Sequence, residues 1–161
     1  GAGGEIEMSG ISVPVLRLPH GADLPLPAYR SAGAAGMDLL AAIPAEAPLT
    51  IPAGGRGEVP TGIALAIPDG YEGQVRPRSG LARKHGIGMV NAPGTIDEDY
   101  VGEIHVILIN LSDDPYVISD GDRIAQLVIA PVARARTVVV KTVEELGVTV
   151  RGDKGFGHTG V

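Results

Sequence analysis

The sequence predicts an all-β protein, a sandwich or barrel of short strands, on three observations. Short apolar runs recur at fairly even spacing, each closed by a turn. Glycine (24) and proline (13) are abundant and spread along the chain, which favours many turns over long helices. Aromatic residues make up only 3%, with no Trp and one Phe, so a core has to be assembled from Val, Ile, Leu and Ala.

The elements follow in order. Residues 13–18 (VPVLRL) and 37–42 (MDLLAA) are the first apolar runs. Residues 56–67 form the longest, entered after Gly54-Gly55 and closed by Pro68-Asp69-Gly70. Residues 71–76 (YEGQVR) alternate as a strand does. Ser79–His85 has few β-branched residues and ends at Gly86, so it reads as a short helix. Residues 87–90 precede the turn Asn91-Ala92-Pro93-Gly94. Residues 103–110 (EIHVILIN) form a strand that leads to the turn Ser112-Asp113-Asp114-Pro115. Residues 116–118 and 124–130 flank the turn Ser119-Asp120-Gly121-Asp122. Residues 137–141 (TVVVK) read as a last strand, and 143–146 as a helical turn.

With 161 residues, no internal repeat and no long linker, the chain reads as one domain large enough for its own core. Residues 1–12 read as an N-terminal extension, with Met8 as a candidate natural start and the first seven residues as an addition before it. Residues 13–147 read as the β domain. Residues 148–161, where the apolar pattern fades, read as a flexible C-terminal lid. The absence of Cys excludes disulfides and thiolate metal sites. The four His residues (20, 85, 105 and 158) are too scattered for a metal pair on a helix. A net charge of −6 argues against a nucleic-acid surface, which needs clustered cations, but leaves room for a small anion held by a few Arg. No apolar run has the length of a membrane span and no signal peptide is visible, so the expected compartment is the cytoplasm.

Five segments carry candidate chemistry. The stretch from Asn91 to Ile104 sets a carboxylate, Asp97, and a ring, Tyr100, on one tight turn that leads into a strand. Such a turn can offer backbone amides and carbonyls to a flat ligand, though it also reads as an acidic hairpin tip. Arg76-Pro77-Arg78-Ser79-Gly80-Leu81-Ala82 runs from a strand into a helix start. There Ser79 and Gly80 either bind an anion with free N–H groups beside Arg78, or simply begin the helix with Ser79 as cap. In Gly121-Asp122-Arg123-Ile124-Ala125-Gln126-Leu127, alternation groups Arg123 with Ala125 and Leu127, and Gln126 with Ile124. Gln126 then needs a polar partner, either a ligand phosphate or a backbone group. Ala35-Gly36-Met37-Asp38-Leu39 puts an acid at a strand start, which also reads as a surface or structural carboxylate. The tail from Arg151 to Gly160 holds the only Phe, Phe156, between two glycines, either a ring that can close on a flat ligand or a plain terminus.

In order, AGMDL (35–39), PRSGLA (77–82), NAPGTIDEDYVGEI (91–104), GDRIAQL (121–127) and RGDKGFGHTG (151–160) resemble the five motifs of the trimeric dUTPase family. The resemblance runs from about residue 13 to the end. Met37, Val101, Lys154 and His158 depart from residues common in the family, and none removes a group the chemistry needs. The resemblance implies a jelly-roll-like β fold in a homotrimer, with active sites shared between subunits and closed by the C-terminal arm. The implied reaction converts dUTP to dUMP and pyrophosphate, lowering dUTP and supplying dUMP for thymidylate synthesis.

The resemblance also implies roles. Asp97 is the base that activates water for attack on the α-phosphorus. Tyr100 is the platform under the deoxyribose that leaves no room for a 2′-hydroxyl. Asn91, Thr95, Ile96 and His105 read uracil. Arg78, Ser79, Gly80 and Gln126 cradle the phosphates. Arg151 reaches the γ-phosphate, and Phe156, with Gly157 and His158, covers the base. Mg²⁺ is implied as a cofactor held by the triphosphate, with Asp38 reaching it through water. Two rivals remain. A dCTP deaminase would be expected to lack the Phe-bearing tail, and a non-catalytic trimeric nucleotide-binding protein would not need Asp97 and Tyr100 together.

Overall fold

The computed structural model of the chain describes residues 10–155, and the expected lid residues Phe156, Gly157 and His158 lie outside them. Ten strands are present: β1 (Val15–Arg17), β2 (Met37–Leu40), β3 (Leu49–Ile51), β4 (Arg56–Leu65), β5 (Tyr71–Arg76), β6 (Ile87–Met89), β7 (Gly94–Ile96), β8 (Glu103–Asn110), β9 (Tyr116–Ile118) and β10 (Arg123–Pro131). One α-helix, α1 (Ser79–His85), and two 3₁₀ turns, Pro19–Gly21 and Glu144–Leu146, complete the described elements. The strands form two four-stranded sheets, β1-β4-β8-β6 and β2-β10-β5-β7, and a two-stranded β3-β9 ribbon. Every pairing is antiparallel.

A single apolar core joins the sheets. Val59, Val106, Leu108 and Ile87 come from the first sheet, Leu39, Val75, Ile96 and Leu127 from the second, and Ile51 and Ile118 from the ribbon. As the composition requires, these buried side chains are aliphatic, and Tyr71 and Tyr116 pack against them from partly buried positions. Among the described residues two buried polar side chains anchor this core, Thr61, whose hydroxyl donates to Ile104 O (2.6 Å), and Asn110, fully buried at the end of β8. The Asn110 amide donates to Ile51 O (3.1 Å) and Asp114 O (2.7 Å), and its Oδ1 accepts from Ser112 N (3.0 Å) and Ser112 Oγ (2.7 Å). Removing it would strand buried partners, so Asn110→Ala is expected to cost about 2–4 kcal/mol in urea denaturation.

The strands depart from the sequence reading in particular places. Residues 137–141 form no strand: Val139 is 93% exposed, and an apolar run of β-branched residues makes no strand without an edge to pair with. Leu49–Ile51, enclosed by Pro48 and Pro52, is a strand that the pattern does not reveal because it is only three residues long. Gly94–Ile96 belongs to the edge of a sheet rather than to the turn before it. The packed core ends with β10, and from Ala133 to Gly155 the described residues are exposed.

Candidate active site

Two surfaces gather the chemistry. The first is a cleft of about 370 Å³ beside β7, the edge strand of the second sheet. Its lining includes Asn91, Thr95, Ile96, Asp97, Tyr100 and His105, six of the residues that the sequence singles out. The turn after β7 is closed by Tyr100 N–H donating to Asp97 O (3.1 Å), which brings the carboxylate and the ring together. Tyr100 Oη donates to Glu103 O (2.7 Å), and the ring lies directly over Gly102. A Cβ at Gly102 would stand 2.6 Å from that hydroxyl, so the position has to be glycine for the ring to lie there. Glu98 fixes the turn from behind. Its carboxylate accepts from Gly70 N–H (2.9 Å) and from Arg134 (3.2 Å).

His105 lines the same cleft, and its ring is tied to two carboxylates. Its Nδ1 lies 3.0 Å from Glu58 Oε1 and its Nε2 3.0 Å from Glu103 Oε1, so both ring nitrogens are already engaged. The ring is thus held in the cleft wall by two carboxylates, and the residue stays on the cleft lining. Glu103 in turn accepts from His20 and from Gly62 N–H (2.9 Å). Burial acts to raise the Glu103 carboxyl, but hydrogen bonds from His20, Gly62 and His105 outweigh it and hold it below the ordinary value.

The second surface lies along the outer face of the second sheet and the start of α1. It is lined by Gln74, Arg76, Arg78, Ser79 and Gln126, with Ala92 and Pro93 at its rim. Cross-strand register sets Asp38, Gln126 and Arg76 side by side. A bulge in β10 between Arg123 and Ala125 shifts the alternation there. Arg123 therefore faces with Gln126 and Asp38, and not with Ala125 and Leu127 as strict alternation predicts. Asp38 sits amid three guanidinium groups: Arg78 at 3.2 Å, Arg30 at 3.4 Å and Arg123 at 3.8 Å. One carboxylate among three cations leaves net positive charge on a chain whose total is −6. The N-cap of α1 is Arg78, not Ser79, and it makes no side-chain capping bond, so the first N–H groups of the helix, at Ser79 and Gly80, keep their anion-binding capacity. Gln126 finds a backbone partner in Pro77 O (3.0 Å), and its Oε1 presses so closely on Gly36 that a Cβ there would come within 2.5 Å.

The cleft and the cationic face share no lining residue, although the Asn91–Gly94 turn separates them. Arg151 is exposed and donates to the carbonyls of Lys154 (2.5 Å) and Gly155 (3.2 Å), on neither surface. Sequence reasoning missed Arg30, Arg123, Glu58 and Glu103. Arg123 and Glu103 lie inside recognised motifs, but only the bulge and the cross-strand register reveal where they point.

The family model for dUTPase matches residues 22–160. A deoxyuridine 5′-triphosphate nucleotidohydrolase of Methylocella silvestris is 59% identical over 150 residues, 93% of this chain and 92% of its own length. One of Rhizobium etli is 57% identical over 147 residues, 91% of this chain and 92% of its own. Among solved structures, a variant of the Staphylococcus bacteriophage 80alpha dUTPase with dUpNHpp superposes with a TM-score of 0.80 at 26% identity, covering 93% of this chain and 99% of that one. The phage phi11 enzyme, described with a structural Mg(II) ion, shares the fold with a TM-score of 0.71 at 24% identity, over 83% of this chain and 99% of that one.

Proposed function

This chain belongs to the dUTPase family and hydrolyses dUTP, and we propose that Asp97 is the general base of that reaction, with dUMP and pyrophosphate as products. Water attacks the α-phosphorus as its proton passes to the Asp97 carboxylate. The new P–O bond forms while the bond to the bridging αβ-oxygen breaks, and pyrophosphate leaves. The observation that carries this reading is the turn that sets the Asp97 carboxylate beside the Tyr100 ring on the cleft. Asn91 and Gly94 open on the cleft with Asp97 and Tyr100, and Ala92 and Pro93 open on the guanidinium-rich face.

In this reading the free edge of β7 offers the backbone of Thr95 and Ile96 to uracil, with Asn91 beside them. Cytosine would set a donor against a donor, a mismatch that hydrogen-bonding sites reject by roughly 10⁴-fold. The Tyr100 ring takes the deoxyribose and excludes a 2′-hydroxyl. Arg78, Ser79, Gly80 and Gln126 hold the phosphates, and Asp38 aligns Arg78 and Arg123 for them. Among the described residues no group of three His, Asp or Glu could hold a metal ion, and Asp38 is ringed by arginines. Mg²⁺ would be held by the triphosphate oxygens, with Asp38 reaching it through water, and would neutralise phosphate charge.

The cationic face and the cleft of one chain do not merge, which supports a homotrimer in which each site draws on different copies. The exposed valines 138–140 have strand propensity and would gain an edge to pair with in such an assembly. Among the described residues no helix is long and apolar enough to cross a membrane. We take the cytoplasmic nucleotide pool as the enzyme's setting, with dUMP passing to thymidylate synthesis. Pyrophosphate release from dUTP, dCTP and UTP with Mg²⁺, alongside sedimentation mass, tests the reading. Turnover of dUTP alone by a trimer is the expected result, and deamination of dCTP or a hydrolytically active monomer would refute it. Mixing an Asp97→Asn chain with one truncated after Val150 is expected to restore part of the lost activity, because some mixed trimers contain a complete site.

A further inference from the structure

Glu103, His105 and Glu58 line one wall of the Asp97 cleft, His20 joins them from behind through Glu103, and the hydrolytic chemistry uses none of the four. Glu103 is the hub. Its Oε2 accepts from His20 and from Gly62 N–H (2.9 Å), and its Oε1 faces His105 Nε2 (3.0 Å), whose other nitrogen faces Glu58 (3.0 Å). The Glu103 side chain is only 19% exposed, so these bonds are partly shielded from water.

What the hub ties together is specific. β4 and β8 lose register between Pro60 and Ala64, and Gly62 at the centre of that irregularity has φ +70. Glu103 captures the N–H of Gly62. Gly62 presses on Gly21 so closely that a Cβ would come within 2.6 Å of Gly21 Cα, and His20 projects from that same 3₁₀ turn. The carboxylate thus pins the first residue of β8 to the bulge and to the 19–21 turn. The main chain of that same residue receives the Tyr100 hydroxyl at 2.7 Å.

We propose that Glu103 is a positioning residue for sugar selection: by fixing the start of β8 against the Gly62 bulge, it fixes the Tyr100 ring, and with it the space denied to a 2′-hydroxyl. The inference rests on the reading of Tyr100 as the deoxyribose platform. Discrimination against one oxygen atom depends on the ring standing still to a fraction of its own radius. A carbonyl that drifts carries the phenol with it. Loosening Glu103 therefore affects the two sugars unequally, whereas a purely structural role would depress both alike.

The test compares Glu103→Ala and Glu103→Gln with the wild-type trimer, using Mg·dUTP and Mg·UTP and resolving kcat and KM for each. In Glu103→Ala the dUTP/UTP ratio of kcat/KM is expected to fall by about tenfold or more, since misplacement of the order of an ångström costs up to 10²-fold. Glu103→Gln is expected to fall between, because its amide oxygen still accepts from Gly62. If Glu103→Ala does not fold, His20→Ala removes a single donor and should shift the ratio in the same direction by less. Ring NMR of the four tyrosines without nucleotide, with Tyr100 assigned by Tyr100→Phe, gives a readout independent of activity, and the Tyr100 signal alone should move. An unchanged ratio in a folded variant, or an unmoved Tyr100 signal, overturns the proposal. Absence of dUTP turnover by the wild type would instead count against the functional reading, with the NMR result still deciding the positioning role.

Discussion

Asp97→Asn is expected to keep nucleotide binding and to lose turnover by on the order of 10²–10⁴-fold, the usual contribution of a positioned general base. The substitution preserves size and shape, so the turn that Tyr100 N–H closes on Asp97 O, a main-chain bond, should survive unchanged. Glu98, which bridges Gly70 and Arg134, holds the same turn independently of residue 97. The loss should therefore appear in kcat, with KM for dUTP little altered. Single-turnover kinetics with Mg·dUTP and calorimetric binding of a non-hydrolysable analogue separate the two. A variant with near-normal kcat would remove Asp97 from the mechanism. A variant that no longer binds would make the carboxylate a ligand group and not a base.

The class of fold is legible in the sequence because its signals are local. Alternation in EIHVILIN, turns at Pro68-Asp69-Gly70 and Ser119-Asp120-Gly121-Asp122, and the helix stop at Gly86 each depend on neighbours a few residues away. The exceptions all involve partners far along the chain. The triplet Leu49–Ile51 becomes a strand only by pairing with Tyr116–Ile118. The TVVVK run has the propensity but no edge within one chain. The site divides in the same way. Asp97, Tyr100 and Asn91 share one short segment, and the cleft collects them. Arg123 is misassigned by simple alternation because one inserted residue in β10 reverses parity, and no residue type marks that bulge. The sequence does not show that Glu58, from a neighbouring strand, and Glu103 lie on the two ring nitrogens of His105. Asp38 likewise gains meaning once Arg30, Arg78 and Arg123 surround it. What no sequence signal reveals is that it is also the counter-ion that lets three cations stand together.

Truncation after Val150 is expected to leave a folded trimer that has lost efficient dUTP hydrolysis, with kcat/KM down by on the order of 10²-fold or more. Stability should hardly change, because the apolar core draws its last residue from β10 and residues 133–155 are exposed in the single chain. Activity should change because the deleted segment carries Arg151 and the only Phe of the protein, Phe156. Arg151 spends its donors on the carbonyls of Lys154 and Gly155, contacts that a phosphate can replace with a stronger charge-assisted pair. Ordering the segment over a nucleotide costs roughly 1–2 kcal/mol per fixed residue. Only contacts absent without substrate can offset that: the Phe156 ring on uracil, and Arg151 with backbone N–H groups on the phosphates. Exclusion of water then strengthens each charge interaction inside the site. Hydrogen exchange across residues 151–161 should therefore slow when a non-hydrolysable dUTP analogue and Mg²⁺ are added, and the truncated trimer should melt within a few degrees of the intact one. Normal dUTP turnover by the truncated protein, or exchange in the segment that ignores the nucleotide, would exclude closure by the arm as part of the catalytic cycle.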